Sequence, residues 1–370
     1  MPEPIEALFV TDEISRRETG GGVQWCTREY LAALKAAGIE TRLFSFPIHR
    51  SFFSRLRYKL QPRPYSHLVP PHTPERIAAS MPKIHWCFLN NTLAGSLAPA
   101  LQRLMPHARF VFLSHGAELT DVINNLRHAP ELMPPEQRRP GWLGHLLLAE
   151  TSHRASLAGT VVISEPDEAT EAWLGSTSVL FLPRQIPPNP IDFQPIDGRA
   201  GCVATLSHGP NLHGLQRLAA VLDRQSGVRL RLVGGPVEMG EKLAREHRSI
   251  DYLGRLSENE LMKEAATWRA FANPIFCPAR GASMKVATAL GWGLPVLTTP
   301  AGMRGYVWDK TRLPLAATPA EMADLLITAT RGPEVETWFA AARAIRDLAP
   351  SSSVTGKRLR TWLTSLEAPQ

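Results

Sequence analysis

Between Phe271 and Thr298 the chain spells out a strand, a tight turn, a helix and a second strand with few residues to spare. The apolar run Phe271 to Cys277 is followed by the small-residue turn Arg280-Gly281-Ala282-Ser283. Met284, Val286, Ala287, Ala289 and Leu290 come next, spaced to cover one helical face. The helix closes near Gly291 to Gly293, and Leu294 to Thr298 reads as the next buried strand. Elements in that order make a parallel α/β unit. The turn leaves backbone N–H groups uncommitted at a helix N-terminus, where the dipole favours an anion, and Lys285 lies within the first helical turn. A phosphate fits there. The plainer alternative is that every α/β domain has such units and that Lys285 is a solvated surface lysine, since a glycine turn before a helix is a weak signal. A second glycine loop, Gly302-Met303-Arg304-Gly305, follows the second strand.

At 370 residues the chain exceeds what one core usually serves, so two domains are expected. Cys26, Cys87, Cys202 and Cys277 are far apart and form no C-x-x-C pair, which suggests neither a disulfide framework nor a zinc site and suits a reducing cytoplasm. The segment M-P-E-P-I-E carries acids and no basic cluster, and no apolar run is long enough to span a bilayer. A cytoplasmic protein, at most peripheral to the inner membrane face, is expected. The formal charge of +7 suits anionic partners such as nucleotide diphosphates, phospholipid headgroups or nucleic acid. Zinc-finger spacing, an RNA-recognition signature and a P-loop are all missing from the sequence, so nucleic acid is not expected as a partner.

Ile5 to Val10 leads through Thr19-Gly20-Gly21-Gly22-Val23 into a helix carrying Trp25, Tyr30, Leu31 and Leu34, a doubly wound opening without the dinucleotide spacing. The glycines are equally readable as a loop tip. Arg42, Arg50, Arg55, Arg57, Lys59 and Arg63 then gather among Phe46, Phe52, Phe53, Leu56 and Leu60. Residues 42–63 are thus a candidate for contact with the cytoplasmic membrane face, or else a solvated, proline-bearing loop. Ile84 to Leu89 and Phe110 to Leu113 read as buried parallel strands around a helix from Leu93 to Leu104. The second runs into Ser114-His115-Gly116-Ala117-Glu118, and functional groups in open α/β sheets gather at such strand ends. His115 is therefore a candidate, although a strand-end histidine is also a common structural residue.

Asn124 to Gly141 is polar and proline-rich, Trp142 to Leu157 reads as a helix, and Thr160 to Ser164 and Val179 to Leu182 follow as short apolar segments. Pro183 to Asp192 looks like an interdomain linker. Cys202 to Leu206 then turns through Ser207-His208-Gly209-Pro210-Asn211 into the helix Leu212 to Leu222. Val228 to Val233 ends in Gly234-Gly235-Pro236, and Ile250 to Leu253 in Gly254-Arg255-Leu256-Ser257, where Ser257 and Glu260 form a capping box. From Pro319 the pattern is helical to the end, interrupted at Pro333 and at residues 350–353.

The run Gly281 to Thr299, G-x-x-x-K-x-x-x-A-L-G-x-G-L-P-V-L-T-T, resembles the nucleotide-sugar signature of GT-B glycosyltransferases, particularly the large retaining group-1 family. The resemblance implies an α/β fold of two Rossmann-like domains with parallel sheets facing a central cleft. Residues 1–190 would bind the acceptor, 191–350 the nucleotide sugar, and 351–370 would form a helix returning to the N-terminal domain. It implies transfer of a sugar from a nucleotide diphosphate sugar, of UDP or GDP type, to a hydroxyl of a glycan, a lipid-linked glycan or a small molecule. Retention is expected, without metal or separate cofactor. In the family, glycines equivalent to Gly20, Gly21 and Gly22 approach the donor phosphates, and a histidine in the context of His115 faces the donor sugar. The donor site would further draw on His208, Asn211, Gly234, Arg255, Gly281, Ser283, Lys285 and Thr288. Two family glutamates are replaced by Arg280 and Thr288, and the usual arginine and lysine after the first strand of the second domain by His208 and His213, so Arg280 and Lys285 would carry more of the diphosphate. Glu118 and Asp121 are the candidate bases if the reaction inverts. A nucleotide-sugar epimerase and a non-catalytic binding protein of the same fold remain as alternatives.

Overall fold

The computed structural model describes residues 5–18, 20–49, 51, 64–65, 67–139, 141–225 and 227–367. Most of the basic stretch 42–63, namely residues 50 and 52–63, lies outside the described residues. The chain divides into two compact units. The first comprises Met1–Val122, Pro134–Pro183 and Pro350–Gln370, the second Ile123–Met133 and Arg184–Ala349.

In the first unit, β1 (Ile5–Asp12), β2 (Ile39–Phe46), β3 (Trp86–Asn90), β4 (Arg109–Leu113), β5 (Gly159–Val162) and β6 (Val179–Phe181) form a parallel sheet in the order β2-β1-β3-β4-β5-β6. β3 is buried throughout and β4 almost so, as expected of strands covered on both faces. The connections supply α1 (Gly22–Ala36), α2 (Thr73–Ser80), α3 (Asn91–Gly95), α4 (Ala98–Leu104), α5 (Glu118–His128), α6 (Trp142–Arg154) and α7 (Glu165–Trp173). The single helix expected over Leu93 to Leu104 is broken into α3 and α4. Pro99, in the first turn of α4, has no N–H to continue the ladder. The polar, proline-rich stretch Asn124 to Gly141 begins inside α5. That helix carries Glu118 and Asp121 in its first turn and Arg127 and His128 in its last, matching the helix dipole at both ends.

The C-terminal helix, Ser352–Glu367, packs in this unit. It lies so close to α1 that a Cβ on Gly356 would come within 2.4 Å of the Ala36 carbonyl carbon. The Trp362 ring covers Gly159, and its Nε1 donates to Ser178 Oγ at 2.9 Å. Leu359 and Leu363 are buried, each stabilising the contact by roughly 1.5–3 kcal/mol. Deeper in the unit, Arg154 makes a bidentate pair with Glu171, both N···O distances being 2.8 Å, and Ser114 Oγ donates to the same carboxylate at 2.7 Å. Neither charged side chain reaches solvent.

The second unit contains β7 (Arg199–Thr205), β8 (Arg229–Gly235), β9 (Ile250–Tyr252), β10 (Ala270–Asn273) and β11 (Val296–Thr298), parallel and in the order β11-β10-β7-β8-β9. Helices α8 (Gly209–Leu222), α9 (Val237–Glu246), α10 (Glu258–Ala265), α11 (Met284–Trp292), α12 (Pro319–Arg331) and α13 (Val335–Asp347) complete it. The strands alternate between two cores. Ala270 and Ala272 join Leu215, Leu218 and Met322 on one face, while Phe271 joins Val286, Leu290 and Phe339 on the other. The strand order reverses between β7 and β10, the place where such sheets open a crevice at their carboxyl ends. Gly214 lets α8 approach that end of β10, since a Cβ there would meet the Pro274 carbonyl oxygen at 1.6 Å. Among the described residues no helix is long and apolar enough to cross a membrane.

Candidate functional site

At the reversal point of the second sheet, the turn after β10 brings Gly281, Ser283 and Lys285 to the N-terminus of α11. Gly281 has φ +61, a conformation that side-chain-bearing residues adopt at a penalty. Ser283 occupies the N-cap position, yet its hydroxyl caps nothing and is buried without a hydrogen-bond partner. Its carbonyl accepts from the Tyr306 hydroxyl at 2.7 Å, which fixes the turn against the loop after β11.

Lys285 Nζ donates to Asn211 Oδ1 at 2.8 Å, and Asn211 Nδ2 donates to the Thr205 carbonyl at 2.9 Å. The carboxyl end of β7 thus fixes which way the amide faces, and the amide oxygen fixes the lysine. Part of Lys285 reaches solvent, but dense packing strips water from its ammonium and pushes the pKa down to about 8. The nearby Cys202 thiol works weakly against this, and the Arg304 guanidinium adds to it. Among the described residues no carboxylate lies within ion-pair reach of Lys285.

Arg304 was not singled out from sequence, although an arginine in a glycine loop directly after a buried strand is a readable signal. It is buried and donates to the Ala301 carbonyl at 2.6 Å and to the Arg280 carbonyl at 2.9 Å, tying the two glycine loops together. Arg280 itself is half-buried in the turn. Thr288 lies one helical turn further on, and its hydroxyl donates to the Met284 carbonyl at 3.2 Å. His208 occupies the N-cap position of α8 without a side-chain capping bond, on the same lip as Asn211, and is half-buried. His213, paired with His208 in the expectation for the diphosphate, has a ring neighbour of its own. It stacks on His128 with ring centroids 4.5 Å apart, and burial, followed by the charges of His128 and Arg217, lowers its pKa. On the neighbouring strand ends Gly234 has φ +143, and a Cβ on Gly235 would come within 2.6 Å of Arg255 Nε. Arg255 is exposed there.

The remaining expected residues belong to the first unit. His115 follows β4, and its Nε2 lies 2.9 Å from Asn90 Oδ1. Asn90 Nδ2 donates to the hydroxyls of Thr11 and Thr27, both at 2.9 Å, and those hydroxyls donate onward to the carbonyls of Asp12 and Val23. The amide orientation is therefore set, and Nε2 of His115 must carry the proton that Oδ1 accepts. Glu118 opens α5, and its backbone N–H donates to Glu150 Oε1 at 2.9 Å. Burial, opposed by Arg154 and reinforced by Glu118, raises the Glu150 pKa. Gly20 has φ +150, Gly21 is the N-cap of α1 with no side chain capping it, and Gly22 starts the helix, all three being exposed. A Cβ on Gly21 would meet nothing within 4 Å, so packing in this unit does not demand glycine there.

Comparison with known proteins places these edges in context. Residues 199–331 match the family model described as glycosyl transferases group 1. No curated protein matches the chain significantly in sequence. Among solved structures, HepE of Anabaena in complex with UDP and glucose is 14% identical, with a TM-score of 0.63, covering 98% of this chain and 100% of its own. The lipopolysaccharide outer core galactosyltransferase WaaB is 12% identical with a TM-score of 0.60, covering 98% and 99%. An O-GlcNAc transferase of Thermobaculum terrenum is 15% identical with a TM-score of 0.59, covering 98% of this chain and 68% of its own. With its paired parallel α/β sheets the chain has the GT-B fold. The residues matching the group 1 model lie within its second unit.

Proposed function

We propose that the protein transfers a sugar from a nucleotide diphosphate sugar to a hydroxyl acceptor, with the donor diphosphate held on the carboxyl edge of the second sheet. The observation that supports this most directly is Lys285: a desolvated ammonium at a helix N-terminus, aimed by Asn211 and lacking a carboxylate among the described residues. An anion there regains for the lysine the charge stabilisation that burial removed. As the glycosidic bond breaks, negative charge grows on the departing diphosphate. Lys285, the nearby charge of Arg304 and the N–H groups opening α11 would stabilise it without reorganising. Cations at this edge supply the role a divalent ion has in other transferases, and a reaction that retains configuration needs no strong protein base. His115 and Gly20 to Gly22 would serve the donor from the first unit, with Arg280, His208, Gly234, Arg255 and Thr288 around the nucleotide. A uridine donor is the first to test, because HepE holds UDP and glucose. Residues 42–63 would bring the protein to the anionic cytoplasmic face of a membrane, where a lipid-linked or glycan acceptor is presented.

The test is nucleotide release from a panel of nucleotide sugars, with and without acceptors, by wild type and Lys285→Met. Release that depends on acceptor and drops at least about tenfold in the variant is expected. Absence of a thermal shift with every nucleoside diphosphate would remove the donor site, and epimerisation without release would replace transfer by isomerisation.

A further inference from the structure

The first unit carries an open, solvent-facing pocket of about 570 Å³ that none of the residues assigned above to the donor lines. One wall is a single face of α6, where His145, Leu148, Ala149, Ser152 and His153 recur at helical spacing. The facing wall is formed by Pro64, Val69, Pro70, Pro71 and Pro74, and Leu97 adds to it where α3 gives way to α4. Prolines supply no N–H and little freedom, so that wall is stiff and poor in donors. Among the described lining residues there is no Asp, Glu, Lys or Arg.

The polar groups of the lining narrow the occupant further. Ser96 and Ser152 donate back to their own helices, to the carbonyls of Leu93 at 2.7 Å and Ala149 at 2.9 Å. His153 is different. It is 6% exposed, and its Nδ1 is buried with no hydrogen-bond partner. Burial, followed by the charge of Arg154, pushes its pKa down to about 3, so the ring stays neutral at ordinary pH. A leftover ring nitrogen in a buried apolar wall is normally answered by a partner. Leu148, 68% exposed, adds apolar surface that faces no packed neighbour. The volume lies within the roughly 300–1,000 Å³ typical of small-molecule sites.

We propose that this cavity seats the apolar part of an uncharged alcohol, with a hydroxyl of the molecule hydrogen-bonded to His153 Nδ1. Its service as an acceptor subsite rests on the transfer reaction proposed above; its affinity for an apolar alcohol does not. Among the described lining residues no fixed charge is present to pair with a charged headgroup, whereas a hydrocarbon chain bearing one hydroxyl matches the apolar wall and the ring nitrogen of His153.

Calorimetric binding of 1-octanol to the full chain tests this, with glycerol as polar control and 1-chlorooctane as an apolar ligand that cannot replace the hydroxyl. Octanol should bind, more tightly than chlorooctane, and glycerol should not. Leu148→Asp and Ser152→Trp change exposed positions and should fold, and each should weaken octanol binding at least about tenfold, by placing charge in the cavity or by filling it. His153→Phe should erase the preference for octanol over chlorooctane. Undetectable octanol binding, or wild-type binding in both wall variants, overturns the proposal. Nucleoside diphosphate affinity, measured in parallel, separates the two readings. Octanol binding without nucleotide binding leaves the cavity standing and removes the donor site, and the converse removes the cavity alone.

Discussion

The two sheets end in edges of opposite character. Along the first, two polar clusters are built on Asp12 and Asn90. Asp12 takes the N–H groups of Ile14 and Ser15 together with the Ser15 hydroxyl and the Asn91 amide, while Asn90 joins Thr11, Thr27 and His115. Along the second, Lys285 has one amide oxygen, and the Arg304 guanidinium adds a further cation that disfavours its charge. A closed network holds a shape; an edge with surplus positive charge is stabilised by an anion. The difference teaches that similar parallel sheets can divide the work, one edge positioning and the other binding.

The sharpest way to test that division is to break one polar cluster in each unit. Glu171→Ala strands the buried Arg154 guanidinium in the first unit and should cost roughly 3–5 kcal/mol in urea unfolding, while the nucleoside diphosphate affinity of the folded fraction stays at the wild-type value. Stability within experimental error of wild type would show that the first network is not structural. Lys285→Met should do the reverse. Removing a desolvated cation, less one hydrogen bond to Asn211, should leave stability between unchanged and about 2 kcal/mol higher. Nucleotide affinity should fall at least about tenfold. A destabilised variant with normal affinity would turn the comparison around.

Titration gives a second contrast. The folded pKa of Lys285 is depressed to about 8, below its value in the unfolded chain, so between those two values the unfolded chain binds more protons. Stability of the free protein should therefore rise with pH from about 8 toward about 10.4 on account of this residue, and the penalty should be fully present below pH 8. A bound diphosphate favours the charged lysine. Nucleotide binding near pH 8 should take up part of a proton, and the dissociation constant should increase by up to about tenfold per pH unit above that. Calorimetry in two buffers of different ionisation enthalpy measures the uptake, and Lys285→Met should abolish it. Equal heats in both buffers for the wild-type protein would place the diphosphate elsewhere.

Much of this architecture is legible in the residues themselves. β3 and β4 are near-continuous apolar runs because both faces are covered, and the Ser257 capping box is seen to form with Glu260. β2 is less visible, since only its two end residues, Ile39 and Phe46, are buried and its middle mixes polar residues with Leu43 and Phe44. The turn Arg280 to Ser283 announces a strand-to-helix junction, and Lys285 lies where such a turn would place it. Its partner is less readable: Asn211 is 74 residues away, and only the close approach of α8 at Gly214 brings the two together. The stacking of His213 on His128 depends likewise on packing between distant segments and is not readable from the sequence. The loop that holds Arg304 is legible as a glycine turn, but that the chain folds back there onto the Arg280 carbonyl is not.

The smallest expected effects come from the glycine turns, and they discriminate best. Gly281→Ala forces a side chain into the left-handed region and should cost about 1–2 kcal/mol of stability, so a loss of turnover there mixes strain with function. Gly21 adopts an extended conformation, and its added Cβ would meet nothing. Gly21→Ala should therefore change stability by no more than about 0.5 kcal/mol. If the open N-terminus of α1 receives the donor phosphates, the added methyl group intrudes on the ligand and not on the protein, and turnover should fall several-fold at unchanged melting temperature. Full activity in Gly21→Ala would take α1 out of the site and leave the anion to the second edge alone.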